Sequence, residues 1–109
     1  MKYMKTFGRF ISEARRAKGL SQKELAALVK KEDGQAISAQ YLNDIEHARR
    51  NPPSEFLIGQ FAKALGVSKD ALCLVAGTVP NDLQKVIANE PEKVEAAFKA
   101  FRKAVSGTK

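Results

Sequence analysis

The sequence predicts an all-α protein, with one helical domain over residues 1–78 and a C-terminal helical extension over residues 79–109. Two observations support this prediction. Apolar residues recur at three- and four-residue spacing through most of the chain, whereas the sustained alternation of a half-buried strand is absent. Serines precede several of these apolar segments, and glycines or prolines follow them, as is typical of helix starts and stops.

The first two predicted helices lie in the N-terminal third of the chain. The first runs from about Lys5 to Lys18, and Gly19 follows it at the position of a C-terminal cap. The second begins at Ser21, which forms a capping-box pattern with Glu24, because each side chain can satisfy a free N–H at the helix start. The predicted apolar faces comprise Phe7, Phe10, Ile11 and Ala14 in the first helix and Leu25, Leu28 and Val29 in the second.

A third helix follows the polar segment 30–36, KKEDGQA, which we expect to form a turn or an exposed loop around its central glycine. Ser38 is the predicted N-cap of this helix. Asn51 precedes a proline and is therefore disfavoured in helical geometry, so the helix must end by Arg50. Further helices are predicted from Ser54 to Gly66, from Ser68 to Gly77, from Pro80 to about Ala88 and from about Pro91 to Val105.

The chain is basic, with a net charge of +7 and an isoelectric point near 9.7. Residues 1–53 hold eleven Lys or Arg against six Asp or Glu, so the basic excess lies mainly in the N-terminal half. This charge favours an anionic partner such as nucleic acid or an anionic membrane surface. The longest apolar run, residues 71–76, is too short to span a bilayer, and no signal-peptide pattern is present. We therefore expect a cytoplasmic protein that is not bound to a membrane.

The third predicted helix has one apolar and one polar face. Leu42 and Ile45 are three residues apart and are expected to face the core, and Tyr41 pairs with Ile45. The opposite face carries Ala39, Gln40, Asn43, Asp44 and His47. A short helix of this kind fits the DNA major groove, where Gln or Asn can pair with adenine and Asp can accept a hydrogen bond from cytosine.

Both ends of this helix suit phosphate. The free N–H groups after Ser38 favour a nearby anion, and Arg49 and Arg50 can hold the DNA backbone. The alternative is an ordinary surface helix with a solvated polar face. The capped helix that precedes it and the basic composition favour the DNA-binding interpretation.

The segments LSQKELAALV and ISAQYLNDIEHARRNPPSEFLIGQFAKALGVSKDALCLVAG together resemble the Cro/repressor-type helix-turn-helix family, also called the XRE family, of bacterial and phage transcriptional regulators. The resemblance covers roughly residues 6–77. It implies a five-helix repressor-like domain whose second and third helices form the helix-turn-helix. The DNA-binding residues expected from the pattern and the resemblance are Gln22, Lys23, Ser38, Ala39, Gln40, Tyr41, Asn43, Asp44, His47, Arg49 and Arg50.

Two features depart from the family pattern. Segment 30–36 is several residues longer than the usual tight turn. It either remains a solvent-exposed loop, extends the second helix by a turn, or reaches DNA through Lys30 and Lys31. Ala48 stands where the family often has glycine. Either Ala48 adopts a left-handed backbone at a cost of about 1 kcal/mol, or the third helix continues into Arg49.

These observations predict a sequence-specific, double-stranded DNA-binding transcriptional regulator, a repressor that binds a palindromic operator as a homodimer. The last helix carries an apolar stripe that either folds back onto its own domain or forms a dimer or partner surface. An antitoxin-type or other protein-binding module, whose C-terminal helix holds a protein partner, is the alternative function. The stripe consists of Val94, Phe98, Phe101 and Val105.

Catalysis and metal binding are not predicted. The carboxylates are scattered, and His47 is the only histidine, so it lacks the neighbouring ligands that a metal site needs. Cys73 is the only cysteine, which excludes an intrachain disulfide, and its apolar surroundings predict a buried, inert thiol. We expect no enzyme activity, no cofactor and no metal.

Overall fold

A computed structural model describes residues 6–106 of the chain. Within this range the chain is all-helical, as the sequence predicts, and it contains no β-strand. The predicted start of the first helix at Lys5 lies outside the described residues. Contacts within the chain divide it into two compact units, with the boundary after Thr78. The helices are α1 Phe7–Ala17, α2 Gln22–Leu28, α3 Ala39–Glu46, α4 Glu55–Leu65, α5 Lys69–Val75, α6 Asn81–Asn89 and α7 Pro91–Ser106.

Hydroxyl side chains start each helix of the first unit, which comprises α1 to α5. Each hydroxyl accepts a hydrogen bond from the backbone N–H three residues further on, so a donor with no partner inside the helix is satisfied. At α2 the capping box is complete, because Glu24 also accepts a hydrogen bond from the backbone N–H of Ser21 at 2.8 Å. The N-caps are Thr6, Ser21, Ser38, Ser54 and Ser68.

The core of the first unit joins the apolar faces of all five helices. Phe7 and Phe61 meet edge to face, with ring centroids 6.3 Å apart, and the predicted inward residues Leu42 and Ile45 are buried. The prediction for Leu28 is wrong, because its side chain is 52% exposed. Helix α2 ends at Leu28, and its buried contacts come from Leu25 and Val29, as predicted, and from Ala26. The fully buried side chains include Ile11, Leu25, Val29, Leu42, Ile58, Phe61, Leu72 and Cys73.

Burial also decides the chemistry of Cys73. Its side chain has no solvent exposure, as predicted, and burial raises the pKa of the thiol above its usual value. The neutral, inaccessible thiol packs as a small apolar group.

The connection between α2 and α3 is a closed loop. Lys30 and Ala36 form an isolated antiparallel bridge, and the N–H of Lys31 donates to the carbonyl of Gln35 at 2.7 Å. The flanking residues Val29 and Ile37 are buried, and they anchor the loop to the core while residues 30–36 stay exposed. The segment is therefore the exposed loop that the sequence allowed, and the alternative in which it extends α2 by a turn is wrong.

Helix α3 ends with a left-handed residue. His47 is its C-cap, and Ala48 has a φ of 58°, the one positive value at a non-glycine position among the described residues. This conformation brings the N–H of Arg49 to the carbonyl of Asp44 at 2.9 Å and turns the chain away from the helix axis. The alternative in which α3 continues into Arg49 is therefore wrong.

We expect Ala48→Gly to raise the free energy of unfolding by about 0.5–1 kcal/mol. The left-handed conformation strains an alanine by about 1–2 kcal/mol, and glycine removes this strain at a smaller entropic cost. Urea unfolding measures the difference. Ala27→Gly, at an exposed position inside α2, is the matched control and should instead lose about 1 kcal/mol. A loss of stability in Ala48→Gly would contradict the assigned strain.

The second unit is a helical hairpin of α6 and α7, joined only by Glu90. Helix α7 begins at Pro91, a favourable residue for the first helical turn. Val86 and Val94 are half-buried, whereas Leu83 on α6 is 48% exposed. Among residues 6–106, no helix is both long and apolar enough to cross a bilayer.

Candidate nucleic-acid interface

Helix α3 presents the polar face that the sequence predicts. Leu42 and Ile45 are buried on one side, and the predicted groove-facing residues lie on the other. The Nδ1 atom of His47 lies 2.8 Å from the carbonyl oxygen of Asn43, inside the same helix. On the polar side, Ser38, Ala39, Gln40 and His47 are exposed and Tyr41, Asn43 and Asp44 are half-buried.

Asp44 organises the polar face and the two arginines after α3. Gln40 donates from Nε2 to Oδ1 of Asp44 at 3.0 Å. Arg49 places Nη1 at 3.7 Å from Oδ1, and Arg50 places Nε at 3.6 Å from Oδ2. The guanidinium of Arg50 also lies over the ring of Tyr41, 5.0 Å from its centroid, which is within cation–π range.

These contacts give Asp44 a structural role at the end of α3. Both of its carboxylate oxygens already face donors of the same chain. A carboxylate in that position holds the arginines near the end of α3 and offsets part of their charge. Because a carboxylate has about four acceptor sites, Asp44 keeps the capacity to accept a hydrogen bond from a cytosine, as the sequence suggested, while it holds these partners.

The segment after α3 forms a shallow, open hollow of about 490 Å³. The side chains of Arg49 and Arg50 remain 60% and 55% exposed beside it. Positively charged groups at an open concave surface suit a phosphate, which presents several oxygens to guanidinium donors. The lining residues are Tyr41, Ala48, Arg49, Arg50, Asn51, Pro52 and Pro53.

A buried ion pair supports α3 from behind. The side chains of Arg15 and Glu46 are 10% and 3% exposed, and they pair through Nε to Oε2 at 2.7 Å and Nη2 to Oε1 at 3.0 Å. Arg15 also donates from Nη1 to the carbonyl of Leu20 at 2.8 Å. Because Arg15 lies on α1, Leu20 before α2 and Glu46 at the end of α3, one guanidinium connects all three segments.

Gln22 extends this network to the polar face. Its Nε2 donates to Oε1 of Glu46 at 2.9 Å and to Oδ1 of Asn43 at 3.1 Å. The side chain of Gln22 therefore links the ion pair behind α3 to Asn43 on the predicted groove surface. The neighbouring Lys23 is exposed.

Helices α1 and α3 approach closely at Gly8. A Cβ atom at this position would overlap the carbonyl oxygen of Ile45 and lie 3.0 Å from the carbonyl carbon of Glu46. Only a glycine allows the start of α1 to pack directly on the backbone at the end of α3. Gly8 thus sets the separation of α1 and α3.

The sequence predictions did not include Arg15, Glu46 or Gly8. A signal for the ion pair is present, because Arg15 follows Ile11 by four residues and Glu46 follows Leu42 by four, so each charge falls on an apolar face. A charge at such a position is rarely buried unless it has a partner.

Comparison with known proteins agrees with this geometry. The model of a helix-turn-helix domain family matches residues 6–73, well over half of the chain. The chain therefore belongs to this family of XRE-like helix-turn-helix domains, and a DNA-binding role follows from that membership. No curated protein matches the chain significantly, and neither does any solved structure. In residues 6–106 there is no cluster of His, Cys, Asp and Glu that could hold a metal ion.

Proposed function

We propose that the protein is a sequence-specific transcriptional regulator, a repressor that binds a palindromic operator in double-stranded DNA as a homodimer. The observation that carries this proposal is the exposed polar face of α3, which is capped at Ser38 and bordered by Arg49 and Arg50. An α-helix with its side chains is about 10–12 Å in diameter, so α3 fits the major groove, which is about 12 Å wide. Residues 1–78 act as the DNA-binding domain and residues 79–109 as a separate C-terminal element.

The polar residues of this surface divide into two roles. Gln40 and Asn43 contact base edges, because an amide offers a donor and an acceptor side by side. Asp44 holds Arg49 and Arg50 toward the phosphates, and its remaining acceptor sites suit a hydrogen bond from a cytosine. The phosphate contacts come from Gln22, Lys23, Ser38, Arg49 and Arg50, and Ala39, Tyr41 and His47 border the groove.

We expect Arg50→Ala and Gln40→Ala to weaken DNA binding in different ways. Arg50→Ala removes a phosphate contact, so affinity falls alike for cognate and random duplexes and the slope of log affinity against log salt decreases by about one unit. Gln40→Ala removes a base contact, so it relaxes the preference at one base position by about 1–3 kcal/mol. Titrations with both duplexes at several salt concentrations measure these effects.

Two controls support this test. Lys99→Ala also removes one positive charge, from α7, and should leave the affinity for both duplexes and the salt slope unchanged. Circular dichroism should show native helix content in every variant, because Gln40 and Arg50 are exposed. If Gln40→Ala and Arg50→Ala weaken cognate and random DNA by the same factors, the division between base and phosphate contacts is wrong.

A second candidate function has support from α7. The exposed Phe98 and Phe101 suit an antitoxin-type or other protein-binding module in which this helix holds a different protein. A partner that co-purifies and is released by truncation after residue 90 would favour this function, whereas a stable homodimer would favour the repressor. In both cases we propose a non-enzymatic, cytoplasmic protein.

A further inference from the structure

The apolar stripe of α7 is exposed in the second unit. Val94 is half-buried, but Phe98 and Phe101 are each 46% exposed and Val105 is 67% exposed. These residues are spaced by four, three and four positions, so they lie along one side of the helix. Phe98 and Phe101 meet edge to face, with ring centroids 6.5 Å apart. Exposed aromatic residues in such a stripe are typical of the centre of a protein–protein interface.

The charges beside the stripe indicate which protein covers it. At about 100° per residue, Glu95 and Arg102 lie on the same edge of the stripe, with the acid nearer the N-terminus and the base nearer the C-terminus. Neither side chain forms an ion pair with another residue between 6 and 106. Lys93, on the other edge, is already paired with Glu90 at 2.8 Å.

A second copy of α7 in antiparallel orientation matches both patterns. In this arrangement a two-fold axis passes midway between Phe98 and Phe101. Phe98 then faces Phe101 of the partner subunit, and Val94 faces Val105 of the partner subunit. The edge that carries Glu95 and Arg102 on one helix meets the same edge of the other helix, so Glu95 approaches Arg102 of the partner subunit. The two-fold symmetry produces this ion pair twice. In a parallel arrangement these two charges lie about ten ångströms apart along the axis and cannot pair.

We propose that α7 is a self-complementary dimerisation helix that pairs antiparallel with α7 of a second copy of this chain. This inference deepens the proposed function, since it assigns the homodimer to a surface and a register. It depends on the proposed function only for the existence of a dimer, and the tests below use the full-length protein without DNA. Their failure would therefore leave the α3 surface to be tested separately.

Sedimentation equilibrium tests the interface with three charge variants. Glu95→Arg places two arginines together and Arg102→Glu places two glutamates together, so each should raise the dimer Kd about tenfold, because the pair occurs twice. The double variant Glu95→Arg/Arg102→Glu restores opposite charges and should return the Kd to within about threefold of wild type. Lys103→Glu lies on the side of α7 opposite the stripe and is the control for net charge, with an unchanged Kd.

The apolar centre and the register need separate variants. Phe101→Glu should give a monomer with unchanged helix content, because the side chain is exposed in the single chain. Under oxidation, Val94→Cys mixed with Val105→Cys should form a disulfide-linked dimer, whereas either variant alone should not. A wild-type chain that is monomeric at 100 µM, an additive effect in the double charge variant, or self-linking of Val94→Cys alone would each overturn the proposal.

Discussion

Glu46→Leu should lower the free energy of unfolding by about 3–5 kcal/mol, the largest effect that we expect from a single substitution. The guanidinium of Arg15 is buried, and Glu46 supplies two of its three observed acceptor contacts. Without the carboxylate, a buried positive charge keeps only the carbonyl of Leu20. Gln22 loses a hydrogen-bond partner as well. Chemical denaturation measures the loss, and leucine keeps the helix propensity of position 46 high.

Two further variants separate the buried charge from other effects. The double variant Arg15→Met/Glu46→Leu replaces both charges with apolar groups and should recover most of the lost stability. Arg9→Ala breaks the exposed pair with Glu13 at 3.1 Å and should lose less than about 1 kcal/mol. If Glu46→Leu is no more destabilising than Arg9→Ala, the ion pair does not hold α1 and α3 together.

Gly8→Ala should lower the free energy of unfolding by about 2 kcal/mol. The new methyl group would overlap the carbonyl oxygen of Ile45, which is backbone and cannot move without shifting α3. Alanine has a helix propensity about 1 kcal/mol more favourable than that of glycine. The expected loss of stability is the cost of the overlap minus this gain. Because α3 must shift, we also expect weaker binding to cognate DNA at temperatures where the variant is folded.

Gly59→Ala is the matched control for Gly8→Ala. Gly59 also lies inside a helix, α4, but a Cβ atom there would meet only the side chain of Lys69, at an ordinary 3.6 Å. This substitution should therefore stabilise the protein by about 0.5–1 kcal/mol. Equal stability of the two variants would show that α1 and α3 do not pack as closely as described.

Local chemistry made the helices of this protein predictable from its sequence. Ser21, Ser38 and Ser54 were identified as caps because a hydroxyl satisfies a backbone donor only three residues away. Gly66 was identified as the end of a helix because its left-handed conformation, with a φ of 70°, is easy for glycine. These interactions depend on neighbours in the sequence, and the structure contains them as predicted.

Interactions between distant segments were not predictable in the same way. Arg15 and Glu46 are separated by 31 positions, and no local rule selects one carboxylate among several as the partner. The exposure of Leu28 depends on where α2 ends and on how the loop to α3 closes, neither of which its apolar spacing determines. The contacts of Asp44 with Arg49 and Arg50 depend on the left-handed turn at Ala48, for which the sequence left two alternatives open.

The polar face of α3 was predictable, but its DNA-binding roles remain a proposal. The most direct test is selection of bound duplexes from a random DNA pool at near-physiological salt, with wild-type protein and Gln40→Ala in parallel. We expect a palindromic consensus with half-sites about one helical turn apart, and loss of preference at one position of each half-site in the variant. Recovery of random sequence by the wild-type protein, with only salt-dependent affinity, would contradict sequence recognition by α3.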